Sequence, residues 1–180
     1  VFSYNQKIVD IEKNAYFNNA KHYVVGMPQR LIRMKNTKDY DKLSPPIVYI
    51  STNLYRKGFS ISKGTDYSNA RNEQNLIARV LARLPHKVCY KTYPEDNRRY
   101  ADMDPVINDI ESADNINLFS EKIDMRYLIS KYRVFVTSGA TSTISWPMMS
   151  DKPLVFINSN SSMPLTDEAY KSISRGIFVF

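Results

Sequence analysis

From residue 47 onward, short apolar runs alternate with amphipathic stretches along the chain. The runs Ile47-Val-Tyr-Ile50, Val88-Cys-Tyr90 within 87–91, Ile116-Asn-Leu-Phe119, Val134-Phe-Val136, Leu154-Val-Phe-Ile157 and Ile177-Phe-Val-Phe180 are too short for helices and nearly free of polar residues. That pattern suits strands covered on both faces, as in a parallel sheet. Between the first two, Leu76, Ile77, Val80, Leu81 and Leu84 form a stripe of 3.6-residue spacing behind Asp66, which serves as a cap. Arg79 and Arg83 fall in its last turns, where the helix dipole favours positive charge. Asp104-Pro105 opens a short helix carrying Val106, Ile107 and Ile110, with proline at its first position. Asp124 caps a further helix with Met125, Leu128 and Ile129 inward; another follows Thr141, and the last runs from Thr166 to Arg175, ended by Gly176. Pro147 disturbs the helix after Thr141, because it removes a backbone bond and drives Trp146 out of the α region. That helix either begins late or is kinked.

Strand and helix in regular alternation predict an α/β fold: a Rossmann-like parallel sheet with helices on both faces. The earlier part reads differently. Residues 2–16 carry a helical pattern with Ile8, Ile11 and Ala15 on one side, and His22-Tyr-Val-Val25 is a short strand ending at Gly26. Residues 36–46 are polar and charged and close on Pro45-Pro46, the mark of a linker. The expected division is therefore a tail of a preceding domain plus linker at residues 1–43 and the Rossmann-like domain at 44–180. A chain opening on Val1 and stopping in the apolar run that ends at Phe180 is expected to be a segment of a longer protein.

Composition narrows the class. Of 180 residues, 43% are hydrophobic and 24% charged, the balance of a soluble globular chain. The single cysteine, Cys89, excludes a disulfide scaffold and is expected as a buried strand thiol. No run approaches the ~18 apolar residues of a membrane span, and no charged-then-apolar leader opens the chain, so neither a membrane helix nor a signal peptide is expected. The formal charge of +7 gathers at Arg30, Arg33, Lys35 and Lys38 and again at Arg98 and Arg99. It suits nucleic acid, anionic lipid, a phosphorylated ligand or merely a solvated surface.

In an open parallel sheet, ligands bind outside the carboxyl ends of the strands. The loops expected to matter are 51–58, 93–100, 120–123 and 137–143. The last holds Thr137, Ser138, Gly139, Ala140, Thr141, Ser142 and Thr143 in succession. Gly139 can take φ > 0, Ala140 leaves room, and hydroxyls with free N–H groups at a helix start suit a phosphate or carboxylate. The plainer alternative is that any βα turn favours small residues. Residues 91–100 combine Lys91, Tyr93, Pro94, Arg98, Arg99 and Tyr100. Arginine forks bind phosphate at two points and tyrosines stack on rings, although Arg98 or Arg99 paired with Glu95 or Asp96 would leave only a solvated loop. Asp102 and Asp104 bracket one residue as a metal pair would, but Asp104 before Pro105 is first of all a helix cap. His22 and His86 lack a partner carboxylate at suggestive spacing and are expected in surface or capping roles. No serine nucleophile elbow, Walker lysine loop, zinc spacing or dinucleotide fingerprint is present, so no cofactor is expected.

Taken in order, Gly26-Met-Pro28, a linker, a strand ending in Ser51-Thr52, Lys91-Thr-Tyr-Pro94, Arg99-Tyr100, Asp102-Met-Asp-Pro105, the 137–143 loop and Asp151-Lys-Pro153 form a recognisable series. It resembles the C-terminal half of bacterial capsule and lipopolysaccharide glycosyltransferases of the two-Rossmann-domain (GT-B) architecture, related to CDP-glycerol glycerophosphotransferases. The resemblance covers roughly residues 22–157. It implies a metal-independent transferase in which this half binds a nucleotide-diphosphate sugar, while the other half brings a surface polysaccharide or glycolipid acceptor and the general base. On that likeness Thr137 to Thr143 match the donor-binding turn, Lys91 and Tyr93 face the phosphates, and Ser51, Thr52, Arg98 and Arg99 join them. The sequence singles out no catalytic residue in this segment. The chain departs from the glycerophosphotransferases in carrying Gly139-Ala140 where they tend to have Asp-Tyr, and Lys-Thr-Tyr-Pro where they have Arg-x-His-Pro. Those departures favour glycosyl over glycerophosphate transfer. A cytoplasmic location is implied, with peripheral contact at the inner face of the membrane. The alternatives are a nucleotide-sugar 2-epimerase-like isomerase, which needs cleft carboxylates and histidines, and a non-catalytic nucleotide-binding module. Nucleic acid is not an expected partner, since it calls for a contiguous basic stripe.

Overall fold

The structure, a computed structural model, describes residues 1–3, 5–15, 19–26, 45–52, 54, 66–93, 104–140, 144–158 and 164–180. The chain divides into two compact units, Val1–Lys35 and Asn36–Phe180. The expected boundary at 43/44 lies outside the described residues.

In the first unit, β1 (Phe2–Ser3) pairs in parallel with β2 (Tyr23–Val24), and α1 (Gln6–Ala15) lies between them in sequence. The expected inward face of this helix is displaced. Val9 is its buried residue, whereas Ile11 is 58% exposed and Ala15 is also exposed. Glu12, one turn beyond Val9, is held by the Ser3 hydroxyl at 2.6 Å. His22, expected in a surface or capping role, has a side chain 2% exposed, with Nδ1 3.4 Å from Glu12 Oε2.

The second unit is an α/β fold with a six-stranded, all-parallel, Rossmann-like sheet flanked by helices. Its strands are β3 (Ile47–Ile50), β4 (Val88–Lys91), β5 (Ile116–Phe119), β6 (Val134–Thr137), β7 (Leu154–Phe156) and β8 (Phe178–Val179), in the spatial order β5-β4-β3-β6-β7-β8. The chain starts at the centre, runs outward through β4 to β5, and returns to build the other side. The switch point therefore falls between β3 and β6. Every strand predicted from an apolar run is present, and β3 and β4 are buried at all positions.

Side chains alternate across a strand, so the sheet has two distinct faces. One carries Ile47, Tyr49, Val88, Tyr90, Ile116 and Val136, and packs on α2 (Asp66–Arg79) and α3 (Pro105–Glu111) through Ala70, Ile77, Val106 and Ile110. The other carries Val48, Ile50, Cys89, Lys91, Phe135 and Thr137, all buried. Tyr132 meets Phe135 edge-on, at 6.5 Å between ring centroids and 85°.

Two helices differ from expectation, and a third settles between two expected forms. The stripe behind Asp66 does not stay helical: α2 ends at Arg79, a 3-10 turn spans Leu81–Arg83, and Val80 turns outward at 43% exposed. Pro85 accounts for the stop, because it forces the preceding Leu84 into an extended conformation (ψ 139°). Beyond Asp124 there are two 3-10 turns, Met125–Tyr127 and Ile129–Lys131, instead of an α-helix. Met125, Leu128 and Ile129 are nevertheless buried as predicted. Lys152 Nζ reaches the carbonyls of Ile129 and Tyr132 at 2.7 and 2.6 Å, supplying donors that a continuing helix would have provided. The helix around Pro147 begins late: α4 is Ser145–Met148, with proline inside the first turn, where it removes no needed donor. The last helix, α5 (Asp167–Ile173), is capped by Thr166, whose hydroxyl accepts from the Ala169 N–H at 3.2 Å.

Among the described residues no helix is long and apolar enough to cross a membrane. Phe135, at 0% exposed and central in the sheet, is the residue whose truncation tests this core. Phe135→Ala should lower unfolding free energy by about 3–5 kcal/mol, as measured by denaturant titration.

Candidate ligand-binding site

At the carboxyl ends of β3 and β4 lies a cavity of about 330 Å³, lined by Ile50, Ser51, Lys91, Thr92, Tyr93, Lys122, Ile123, Asp124, Met125 and Trp146. It is the place the strand order favours, beside the switch point and on the face that carries Cys89 and Lys91. Of the residues singled out by sequence, Ser51, Lys91 and Tyr93 meet here. Thr52 follows Ser51, is half-buried, and gives its carbonyl to the Ser51 hydroxyl at 3.2 Å. Arg98, Arg99, Thr141, Ser142 and Thr143 lie outside the described residues.

Lys91 is the chemical centre of the cavity. It closes β4 with a side chain 4% exposed. Its Nζ stands 5.5 Å from the centroid of the Phe119 ring, the partner across the β4–β5 ladder. No hydrogen-bond acceptor reaches the ammonium among the described residues. Burial pushes its pKa down, and the charges of Cys89 and Asp124 only partly oppose this. A partly desolvated ammonium with no fixed acceptor among the described residues is suited to an incoming anion.

The rest of the lining completes a cationic, aromatic mouth. Lys122 adds a second cation. Asp124 adds a carboxylate, but Oδ1 accepts from the Arg126 N–H at 2.9 Å and Oδ2 pairs with Arg126 Nη2 at 3.3 Å. The Arg126 guanidinium in turn lies 5.2 Å from the Tyr127 ring and 5.7 Å from the Trp146 ring. Trp146 thus has a cation near its ring and also lines the cavity, as does Tyr93, which is 40% exposed. Flat π-faces beside ammonium groups are what a phosphorylated ring compound requires.

The small-residue turn is occupied differently from what its sequence suggests. The Thr137 hydroxyl donates to the Ile50 carbonyl at 3.0 Å, tying β6 to β3 across the switch point. The Gly139 N–H donates to Thr137 Oγ1 at 3.3 Å and so is not a free donor. Among the described residues the glycine with positive φ is Gly26, at 74°. Ser138 Oγ sits 2.8 Å from Tyr49 Oη, and Ala140 is exposed. Among the described residues, none of Thr137 to Ala140 lines the cavity. Helix α4 is a single turn, too short for a dipole to hold a ligand.

Sequence reasoning missed Lys122, Asp124, Met125 and Trp146, although it had marked the loop at 120–123. It also missed Glu73. This carboxylate projects from α2 into the opposite face of the sheet at 4% exposed. There Oε2 accepts from Tyr49 at 2.9 Å, and Oε1 accepts from Tyr90. The two rings lie 5.1 Å apart across the β3–β4 ladder. Burial, followed by the carboxylate, pushes both phenols well above their ordinary pKa, so they remain protonated donors.

Other sequence candidates have structural roles. Asp104 caps α3, its Oδ1 accepting from the Val106 and Ile107 N–H groups at 2.9 and 3.4 Å, while Asp102 lies outside the described residues. Among the described residues no group of three His, Cys, Asp or Glu side chains is placed to hold a metal ion. Cys89 is a buried thiol whose sulfur accepts from Tyr132 at 3.1 Å, and burial raises its pKa. His86 is exposed.

In comparisons with known proteins, no family model matches the chain, and no curated sequence matches it. The cap assignment of Asp104 has a direct check. Asp104→Ala should cost about 1 kcal/mol in a thermal or denaturant melt, whereas Asp104→Asn, still a good cap, should cost little.

Proposed function

We propose that the chain is the donor-binding part of a glycosyltransferase, taking a nucleotide-diphosphate sugar and serving a carbohydrate or glycolipid acceptor. The observation that carries this reading is the buried Lys91 ammonium facing a cavity at the carboxyl ends of a Rossmann-like sheet. Support also comes from Lys122 in the same lining and from the Trp146 and Tyr93 rings at its mouth. The ordered series of motifs that resembles capsule and lipopolysaccharide transferases adds the reaction class.

The chemistry follows from the leaving group. An acceptor hydroxyl attacks the anomeric carbon, the bond from that carbon to the phosphate oxygen breaks, and the electron pair stays on the nucleoside diphosphate. Its growing negative charge needs cations fixed in advance in a site of low dielectric. Lys91 provides one, and its partial desolvation strengthens the attraction. The acceptor proton passes to a base outside the cavity residues named here. On this reading the reaction takes place in the cytoplasm, with the acceptor presented at the membrane face, and it uses no divalent metal.

Titration of UDP, CDP and GDP by calorimetry tests this reading. At least one should bind, and adding a chelator should leave its affinity unchanged. Binding needs charged Lys91, so affinity should fall as pH rises through the folded-state pKa of this lysine, which burial places below the ordinary lysine value. No detectable binding of any of the three at millimolar concentration would overturn the proposal. Strict dependence on magnesium would overturn its metal-independent form.

A further inference from the structure

The two loops that begin at the switch point start with hydroxyl residues, Ser51 after β3 and Ser138 after β6. Each hydroxyl meets a tyrosine of the sheet. Tyr90 Oη lies 3.1 Å from Ser51 Oγ, and Tyr49 Oη lies 2.8 Å from Ser138 Oγ. Both tyrosines also meet the same buried carboxylate, that of Glu73. A phenol has one proton to give, and its oxygen can also accept. The Tyr90 hydroxyl is thus turned toward both Glu73 and Ser51, and the Tyr49 hydroxyl lies between Glu73 and Ser138, where either hydroxyl can donate. Ser51 accepts from Tyr90 and donates its own proton to the Thr52 carbonyl.

We propose that Glu73 is a positioning residue that ties the starts of both switch-point loops to helix α2 through Tyr49 and Tyr90. Ser51 lines the cavity, so the tether fixes one wall of the site from the opposite face of the sheet. The significance for ligand binding rests on the function proposed above; the tether itself does not. It also differs from ordinary core packing. Replacing either tyrosine by phenylalanine keeps the ring and its burial but cuts the path to one serine alone.

That selectivity gives a test that needs no ligand. The Ser51 amide donates to the Lys91 carbonyl at 3.0 Å and the Gly139 amide to Thr137 Oγ1 at 3.3 Å, so both report loop opening by hydrogen exchange in NMR. Phe135, whose amide donates to the Pro153 carbonyl at 2.9 Å, serves as the internal reference. Relative to Phe135, Tyr90→Phe should speed exchange at Ser51 about fivefold, the effect of one hydrogen bond, and leave Gly139 unchanged. Tyr49→Phe should do the reverse. Glu73→Met should release both, and Glu73→Gln, which can accept from one phenol and donate to the other, should restore most of the protection. If Glu73→Met does not fold, the two tyrosine variants still decide. Equal changes at both amides in each tyrosine variant, or no change at either, would overturn the tether. A positive result with no nucleotide binding would leave the tether standing while the proposed function failed.

Discussion

A sheet buried on both faces has little tolerance for charge, yet this one takes up two ionisable side chains at the carboxyl ends of its central strands. Lys91 enters from β4 on one face, and Glu73 reaches the other face from α2. The two are treated in opposite ways. Glu73 finds its donors inside the protein, from two tyrosines that are themselves 0% exposed. Lys91, among the described residues, has no hydrogen-bond acceptor, with the Phe119 ring beneath it, the Asp124 charge nearby and a cavity in front. A buried polar group without a partner costs more than a satisfied one contributes, and the proposed ligand site at Lys91 rests on this unequal treatment among the described residues.

The surrounding structure follows from that division. On the Glu73 face the cluster is closed and apolar apart from the carboxylate network, and it fixes α2 and α3 to the sheet. On the Lys91 face the chain crosses from β5 to β6 in two 3-10 turns, which bury Met125, Leu128 and Ile129 while leaving Lys122 to Asp124 at the cavity rim. Lys152 steadies that crossing by holding two of its carbonyls. The Thr137 bond to Ile50 keeps β3 and β6 together at the point where strand order reverses.

Much of this was legible in the sequence because period and length decide it. Six apolar runs gave six strands, Asp104-Pro105 gave a capped helix, and Cys89 in a strand gave a buried thiol. Lys91 and Tyr93 could be singled out because they end a strand and open a loop, and both line the cavity. What escaped depended on contacts between distant segments. Glu73 did carry a local signal: it lies three residues after Ala70 and four before Ile77, on the apolar face of α2. Its phenol partners come from two other strands and could not be read from that spacing. Trp146 drew notice only as an obstacle to a helix, whereas a late-starting turn lets it face the cavity. Asp151-Lys-Pro153, conspicuous as a motif, works structurally: Asp151 adopts φ 60° and Lys152 caps carbonyls. The run of small residues after β6 suggested an open anion cradle, but internal hydrogen bonds already use the groups of Thr137, Ser138 and Gly139.

The claim that Lys91 is held for an anion rather than for the fold is tested by one substitution, Lys91→Met, which keeps the length and apolar stem but removes the ammonium. Affinity for the nucleoside diphosphate that binds the unaltered chain and melting temperature should be measured on the same preparation. The account predicts an affinity loss of about tenfold or more, the size of a lost charge-assisted hydrogen bond, with a melting temperature unchanged or raised. A variant that melts normally and binds as tightly as the original would contradict it.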